Sequence, residues 1–153
     1  MSERSTHHAS FVIERTFKAS PAKVFAAFAD PKAKAKWFVG PDEWNQVARE
    51  LDFRVGGRER VGGGPKGGPV HIFNAYYHDI VPDSRIVYSY DMHFDDKRMS
   101  VSLATIEFTP AGNGTKLIFT EHGVFLDAYD NPAERERGTR GLLDKLEAAL
   151  QRE

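Results

Sequence analysis

The sequence predicts a single α+β domain in which a curved antiparallel sheet of about seven strands wraps a long C-terminal helix. Three observations carry that expectation. Strand-like runs follow one another from the middle of the chain to near its end, separated by turn residues at hairpin spacing. The final segment is an amphipathic helix, the only element long enough to cover one face of such a sheet. The 153 residues fit the ~100–200 typical of one domain, and no internal repeat or second boundary interrupts them.

Residues 1–9 are polar and are expected to form a flexible tail, with the domain spanning residues 10–152. Phe11, Ile13 and Arg15 alternate with Val12, Glu14 and Thr16, the period of a strand ending near Lys18. Ser20-Pro21 then opens a short helix, Ser at the N-cap and Pro at the first helical position, with Val24, Phe25 and Phe28 on one face. Asp30-Pro31 stops it, and Lys32 to Phe38 reads as a second short helix before Gly40-Pro41.

Six strand-like runs follow: Arg49–Val55, Arg58–Val61, His71–Val81, Arg85–His93, Ser100–Pro110 and Thr115–Val124. The glycine-rich segment 62–69 between the second and third of them reads as a mobile loop, a candidate flap over a pocket entrance. Asn131-Pro132-Ala133-Glu134 has the form of a capping box. Arg135, Thr139, Leu142, Leu146 and Leu150 recur at helical spacing beyond it, with Leu143 widening the stripe. Gly138 and Gly141 would let this helix approach the sheet or a ligand closely, or are simply tolerated.

Composition excludes several classes of function. With 21 basic and 22 acidic residues the net charge is −1, which gives no reason to expect a nucleic acid or an anionic membrane as partner. There is no Cys, hence no disulfide, thiolate metal site or Cys nucleophile; the expectation is a cytoplasmic protein. No apolar run approaches the ~18–20 residues that span a bilayer. No His or carboxylate cluster has metal-ligand spacing, no Gly-x-Ser-x-Gly elbow occurs, and Lys66 lies outside any phosphate-binding glycine pattern. No cofactor is expected.

Eleven Phe, five Tyr and two Trp supply more aromatic surface than turns and exteriors use. Strand parity puts Tyr88 with Tyr90, Ile106 with Phe108, and Leu117 with Phe119 on covered faces. Phe25, Ile106, Phe108 and Leu117 read as solid core. Phe28, Trp37, Trp44, Phe73, Tyr77, Tyr88, Tyr90 and Phe119, with Thr139 and Leu142 from the helix, are the candidate walls of a ligand pocket.

Glu121 shares the parity of Leu117 and Phe119, so it points inward, where a carboxylate is costly unless paired. It is both a candidate ligand contact and the one candidate catalytic residue, an acid or base with Tyr88 or Tyr90. The alternative is a structural role, at the solvated strand end or paired with Arg98 or Arg135. His122 has the opposite parity and should face outward. Phe125, Leu126 and Tyr129 are expected in the connection to the last helix, closing the pocket's far end or forming a dimer contact.

The segments Phe17–Phe25, Asp30-Pro31 through Trp37-Phe38, Leu51–Gly57, Pro82–Tyr90, Thr105–Pro110, Gly114–Leu117 and Phe119–Phe125 resemble the START-like helix-grip superfamily, also called SRPBCC or birch-pollen-allergen-like. The resemblance covers about residues 10–150 and is greatest to a bacterial branch related to the C-terminal domain of the Hsp90 ATPase activator. It implies the helix-grip fold, a cavity between sheet and helix, and the possibility of a homodimer. Members include lipid carriers, polyketide cyclases and co-chaperone domains, so fold alone does not assign a role. Three functions are expected in order: a binder of a small apolar or aromatic ligand, a cofactor-free cyclase, dehydratase or hydrolase using Glu121, and a chaperone-interacting module.

Overall fold

The computed structural model describes residues 4–152. Strand β1 (Thr6–Phe17) is followed by helices α1 (Pro21–Ala29) and α2 (Pro31–Lys34), then by β2 (Asn45–Leu51), β3 (Arg58–Gly64), β4 (His71–Val81), β5 (Arg85–Phe94), β6 (Lys97–Ala111) and β7 (Gly114–Leu126). Helix α3 (Pro132–Gln151) is the last element among the described residues. The seven strands form one antiparallel sheet in the order β1-β7-β6-β5-β4-β3-β2. The two helices after β1 therefore carry the chain from one edge of the sheet to the other.

Each element has a local cause. The Ser20 side chain accepts the Lys23 N–H at the start of α1, and Asp30 does the same for Lys32 at the start of α2, each with Pro in the first turn. Asn131 caps α3 by accepting the Glu134 N–H. The Glu134 carboxylate meets Arg137 one turn on instead of reaching back to the cap, so only half of a capping box forms. Asp83 and Asp95 take positive φ in the turns that open and close β5, a conformation that short polar side chains tolerate.

Several boundaries differ from the sequence expectation. β1 begins at Thr6, because residues 6–10 pair with Leu126 to His122 on β7; of the expected tail, residues 1–3 lie outside the described residues. The second helix stops at Lys34, and β2 lies at 45–51 rather than 49–55. Gly62 to Gly64 belong to β3, not to a loop. A Cβ on Gly64 would lie 2.1 Å from the Pro69 carbonyl oxygen, so glycine is there because the returning chain passes too close for a side chain. Phe125 and Leu126 continue β7 rather than forming a connection, whereas Tyr129 lies in the turn beyond it.

The core lies between the sheet, α1 and the C-terminal half of α3. Ile13, Ile86, Ile106, Leu117 and Val24 are closed off from solvent and pack with Leu143 and Leu146. On α3, Leu143, Leu146, Ala149 and Leu150 are buried in the second half, while Thr139 alone is buried in the first. Residues 132–141 offer no large apolar side chain to seat on the sheet, so α3 is anchored at one end and leaves space beneath the other. Neither Gly138 nor Gly141 brings it closer: a Cβ at either position meets nothing within 4 Å.

A buried ion pair ties α2 to the far half of the sheet. Lys34 Nζ donates to Glu59 Oε1 at 2.6 Å and lies 3.3 Å from the Tyr77 hydroxyl, which itself donates to Glu59 at 2.7 Å. Burial pushes the lysine down from its ordinary value, against the pull of Glu59. Lys34→Met strands the Glu59 charge and should lower the urea-unfolding free energy by about 3–5 kcal/mol, much of it regained in Lys34→Met/Glu59→Leu. Gly141→Ala should raise the same quantity by about 0.5–1 kcal/mol, since the helix gains propensity and the methyl meets open space.

Candidate functional site

The space under the first half of α3 is a cavity of about 630 Å³, within the ~300–1,000 Å³ range of small-molecule sites. Its floor is the concave face of β3 to β5 and β7, its roof is Gly138, Thr139 and Leu142 of α3, and its mouth lies beside Gly40 to Trp44. Aromatic rings form one connected wall. Phe28 meets Trp37 at 4.9 Å, Trp37 meets Phe38 at 5.6 Å, Phe38 meets Phe73 at 5.0 Å, and Phe73 meets Tyr90 at 4.7 Å between centroids. Trp37 has its own polar need met inside the fold, donating from Nε1 to the Ala27 carbonyl.

Of the residues singled out from sequence, Phe28, Trp37, Trp44, Phe73, Tyr88, Tyr90, Phe119, Glu121, Thr139 and Leu142 line this cavity. Tyr77 does not: its ring is turned into the Lys34–Glu59 pair, where a phenol is needed to satisfy the carboxylate. The Thr139 hydroxyl is also committed, donating to the Arg135 carbonyl one turn back. The turn at 65–69 is not part of the lining; Gly62 and Gly63 of β3 are, together with the 38–46 segment. A flap formed by the glycine-rich loop is thus replaced by a wall formed by a glycine-rich strand.

Polar lining residues that the sequence pattern did not single out include Lys34, Arg49, His71, Asp130 and Glu134. Arg49 donates from Nε to Gln46 at 3.0 Å and from its terminal nitrogen to the Phe38 carbonyl, fastening the mouth segment to β2. His71 stacks on Trp44 at 4.9 Å, and burial lowers its pKa against the opposing pull of Asp130 and Asp95. Arg49 to Phe38 and His71 to Trp44 each join a strand to the irregular segment before β2, a contact that strand periodicity does not encode.

The polar end of the cavity is a cluster around Arg135. One terminal nitrogen donates to Asp130 at 2.7 Å and to the Ser100 hydroxyl at 2.7 Å. The other donates to the Tyr90 hydroxyl at 3.0 Å and lies 3.6 Å from Glu121 Oε2. Tyr90 in turn donates to that same Oε2 at 2.8 Å. Arg135 is therefore the partner of Glu121, while Arg98 pairs with Asp91 instead. Glu121 sits mid-strand and is only 2% exposed, not at a solvated strand end. His122 beside it faces outward and meets Ser10 across β1.

Glu121 Oε1 and the Ser102 hydroxyl are both buried without a well-formed hydrogen bond, yet the hydroxyl is near enough to the carboxylate to favour its charged form; Ser102 itself lies outside the cavity lining. Burial is the largest influence on the Glu121 carboxyl and raises its pKa. Tyr90, Arg135 and Ser102 pull in the opposite direction without cancelling it. The Tyr90 phenol is likewise pushed up, chiefly by burial. Among the described residues no group of His, Asp and Glu side chains is arranged to hold a metal ion, and no helix is long and apolar enough to cross a membrane.

The raised carboxyl has a consequence for stability. The folded chain holds the proton more tightly than the unfolded chain, so Glu121 is best tolerated below its ordinary value of 4.5 and is increasingly penalised as pH rises through the raised value. Glu121→Gln removes this dependence. The unfolding free energy of the variant relative to wild type should therefore climb as pH rises above the ordinary value of 4.5, read from urea midpoints at each pH. A flat or falling difference would contradict the assignment.

Comparison with known proteins agrees with this architecture. No curated protein matches the chain. Among solved structures, a protein of Rhizobium leguminosarum superposes with a TM-score of 0.94 at 45% identity, over 99% of this chain and 100% of its own. A protein of Rhizobium loti does so with a TM-score of 0.89 at 47% identity, over 95% and 99%. The AHSA1-like protein of Aeromonas hydrophila shares the fold at 19% identity, with a TM-score of 0.68 over 94% of this chain and 92% of its own. Residues 18–151 match the model of the family described as Activator of Hsp90 ATPase homolog 1-like protein. With nearly the whole domain matched, the chain belongs to that family and has the helix-grip fold.

Proposed function

We propose that the chain binds a small, largely apolar or aromatic molecule in the cavity between the sheet and the first half of α3. The supporting observation is the connected aromatic wall around a space of about 630 Å³, over which residues 132–141 of the helix carry no large apolar side chain. A protein selected only for stability would close such a space, because apolar walls without contact atoms forfeit dispersion and burial energy. Convergence of a few polar groups on one end of an apolar cavity is the usual form of a ligand site.

An acid/base enzyme of the cyclase, dehydratase or hydrolase kind is the second reading. It is favoured by the contact between Tyr90 and a buried Glu121 with one free oxygen. The chaperone-directed reading has the family's name behind it and no feature of the cavity. Native mass spectrometry of freshly purified protein tests the first. A retained small molecule is expected in wild type and not in Thr139→Trp, whose indole fills the space under α3. Absence of a retained molecule, together with equal binding of 8-anilinonaphthalene-1-sulfonate by wild type and a folded Thr139→Trp, would contradict it.

A further inference from the structure

The charged groups that line the cavity are divided unevenly between its two ends. Under α3, one cation serves two carboxylates. Arg135 lies 2.7 Å from Asp130 and 3.6 Å from Glu121, and its face is covered by the Tyr90 and Phe125 rings. Asp130 alone balances it, whether or not Glu121 is charged. Glu134, also in the lining, pairs with Arg137. An anionic ligand group would find no spare cation at this end and would face carboxylates.

The α2 end carries the opposite excess. Lys34 and Arg49 both line the cavity there, and Glu59 is the carboxylate that acts on both. That carboxylate is already taken, by Lys34 Nζ at 2.6 Å and by the Tyr77 hydroxyl at 2.7 Å. Among the described residues, none has a carboxylate within ion-pair distance of Arg49, the exposed Asp42 and Glu43 of the mouth segment included. Two cations thus share one carboxylate. Arg49 disfavours the charge on Lys34, as a second cation must.

Strand register places this arginine where a ligand can use it. Arg49 lies opposite Val61 on β3, and Leu51 lies opposite the buried Glu59. Facing residues of an antiparallel pair share a side, so Arg49 is on the concave face with Val61, itself part of the lining. Glu50 has the opposite parity and faces Arg60 on the outside. Nε and Nη2 of Arg49 donate to the Gln46 side chain and the Phe38 carbonyl. Both acceptors are neutral, and both belong to the cavity lining and not to the small recess between Arg49 and α2. Nη1 has no partner among the described residues, yet it is not sealed: the buried side-chain atoms without partners are those of Ser102 and Glu121.

On this geometry, and resting on the ligand-binding reading above, we propose that the cavity takes a molecule with an apolar or aromatic body and a single carboxylate, which Arg49 holds at the mouth. The carboxylate accepts from Nη1, and the body lies along the wall from Phe38 through Phe73 to Tyr90. One free nitrogen and one excess charge suit a monoanion. A phosphate dianion would keep a charge uncompensated in a largely apolar space. The ligand therefore enters body first, with its charge kept away from Asp130 and Glu121.

The test titrates 2-naphthoate, 2-naphthamide and 2-(aminomethyl)naphthalene into the full chain by calorimetry at neutral pH. The three probes are nearly equal in shape and carry a negative, no and a positive charge. Wild type should bind naphthoate about tenfold more tightly than naphthamide at low salt, and the amine most weakly. Arg49→Gln should cut that preference below about twofold, and Arg49→Lys should retain more of it than Arg49→Gln does. Arg49 also fastens the mouth segment, so a purely structural role would weaken naphthoate and naphthamide alike and leave their ratio unchanged. Added salt should shrink the wild-type ratio as well, a readout that needs no variant to fold.

Naphthamide binding as tightly as naphthoate in wild type overturns this inference and leaves the ligand-binding reading standing. An unchanged ratio in a folded Arg49→Gln overturns it too, because the anion then sits elsewhere. If none of the three probes binds, the ligand-binding reading itself falls for molecules of this size, and this inference falls with it.

Discussion

The structure turns on how one guanidinium divides itself among its neighbours. Arg135 enters the domain from the first turn of α3, is buried to about nine-tenths by Tyr90 and Phe125, and joins Asp130, Ser100 and Tyr90 directly. A buried arginine is tolerable only with this degree of compensation. Because Asp130 takes the closest position, Glu121 is left with a phenol and a more distant cation. The sheet is therefore held to the helix by a polar cluster that is complete for Arg135 and incomplete for Glu121.

The rest of the architecture makes that cluster possible. Helix α3 is seated by Leu143, Leu146, Ala149 and Leu150, and its outer contacts, Arg15 to Asp144 and Lys145 to the Val39 carbonyl, lie in the same half. Toward the N-terminus the stripe changes from leucine to threonine, glycine and arginine. The apolar drive that would close α3 onto the sheet is missing there, and apart from the Arg135 guanidinium over Tyr90 residues 132–141 set no large side chain on the aromatic floor. The cavity follows from the helix sequence as much as from the curvature of the sheet.

Much of this was legible before the fold was seen, where a period carried the signal. The alternation through Tyr88 and Tyr90 and through Leu117, Phe119 and Glu121 gave the inward faces and with them an inward-pointing carboxylate, but left open whether it met solvent, Arg98 or Arg135. Patterns without a period were harder to read. Lys34 and Glu59 look like surface charges on a helix and a strand, and only the tertiary approach of α2 to β3 makes them a buried pair. That pair removes Tyr77 from the cavity, which its parity with Phe73 could not show. Gly62 to Gly64 lower strand propensity and so read as loop, although the close passage of the Pro69 backbone requires glycine. His7 and His8 concealed the start of β1, whose partner residues lie more than a hundred positions away on β7.

The central claim, that the carboxyl facing the cavity lacks full compensation, is open to direct observation. A ¹³C NMR titration of the side-chain carboxyl carbons, with Glu121 assigned through Glu121→Gln, reports its ionisation in the folded protein. The account predicts a midpoint clearly above the ordinary value of 4.5, as burial demands. A midpoint at or below that value would mean that Arg135 and Tyr90 fully compensate the charge, and the account would be wrong.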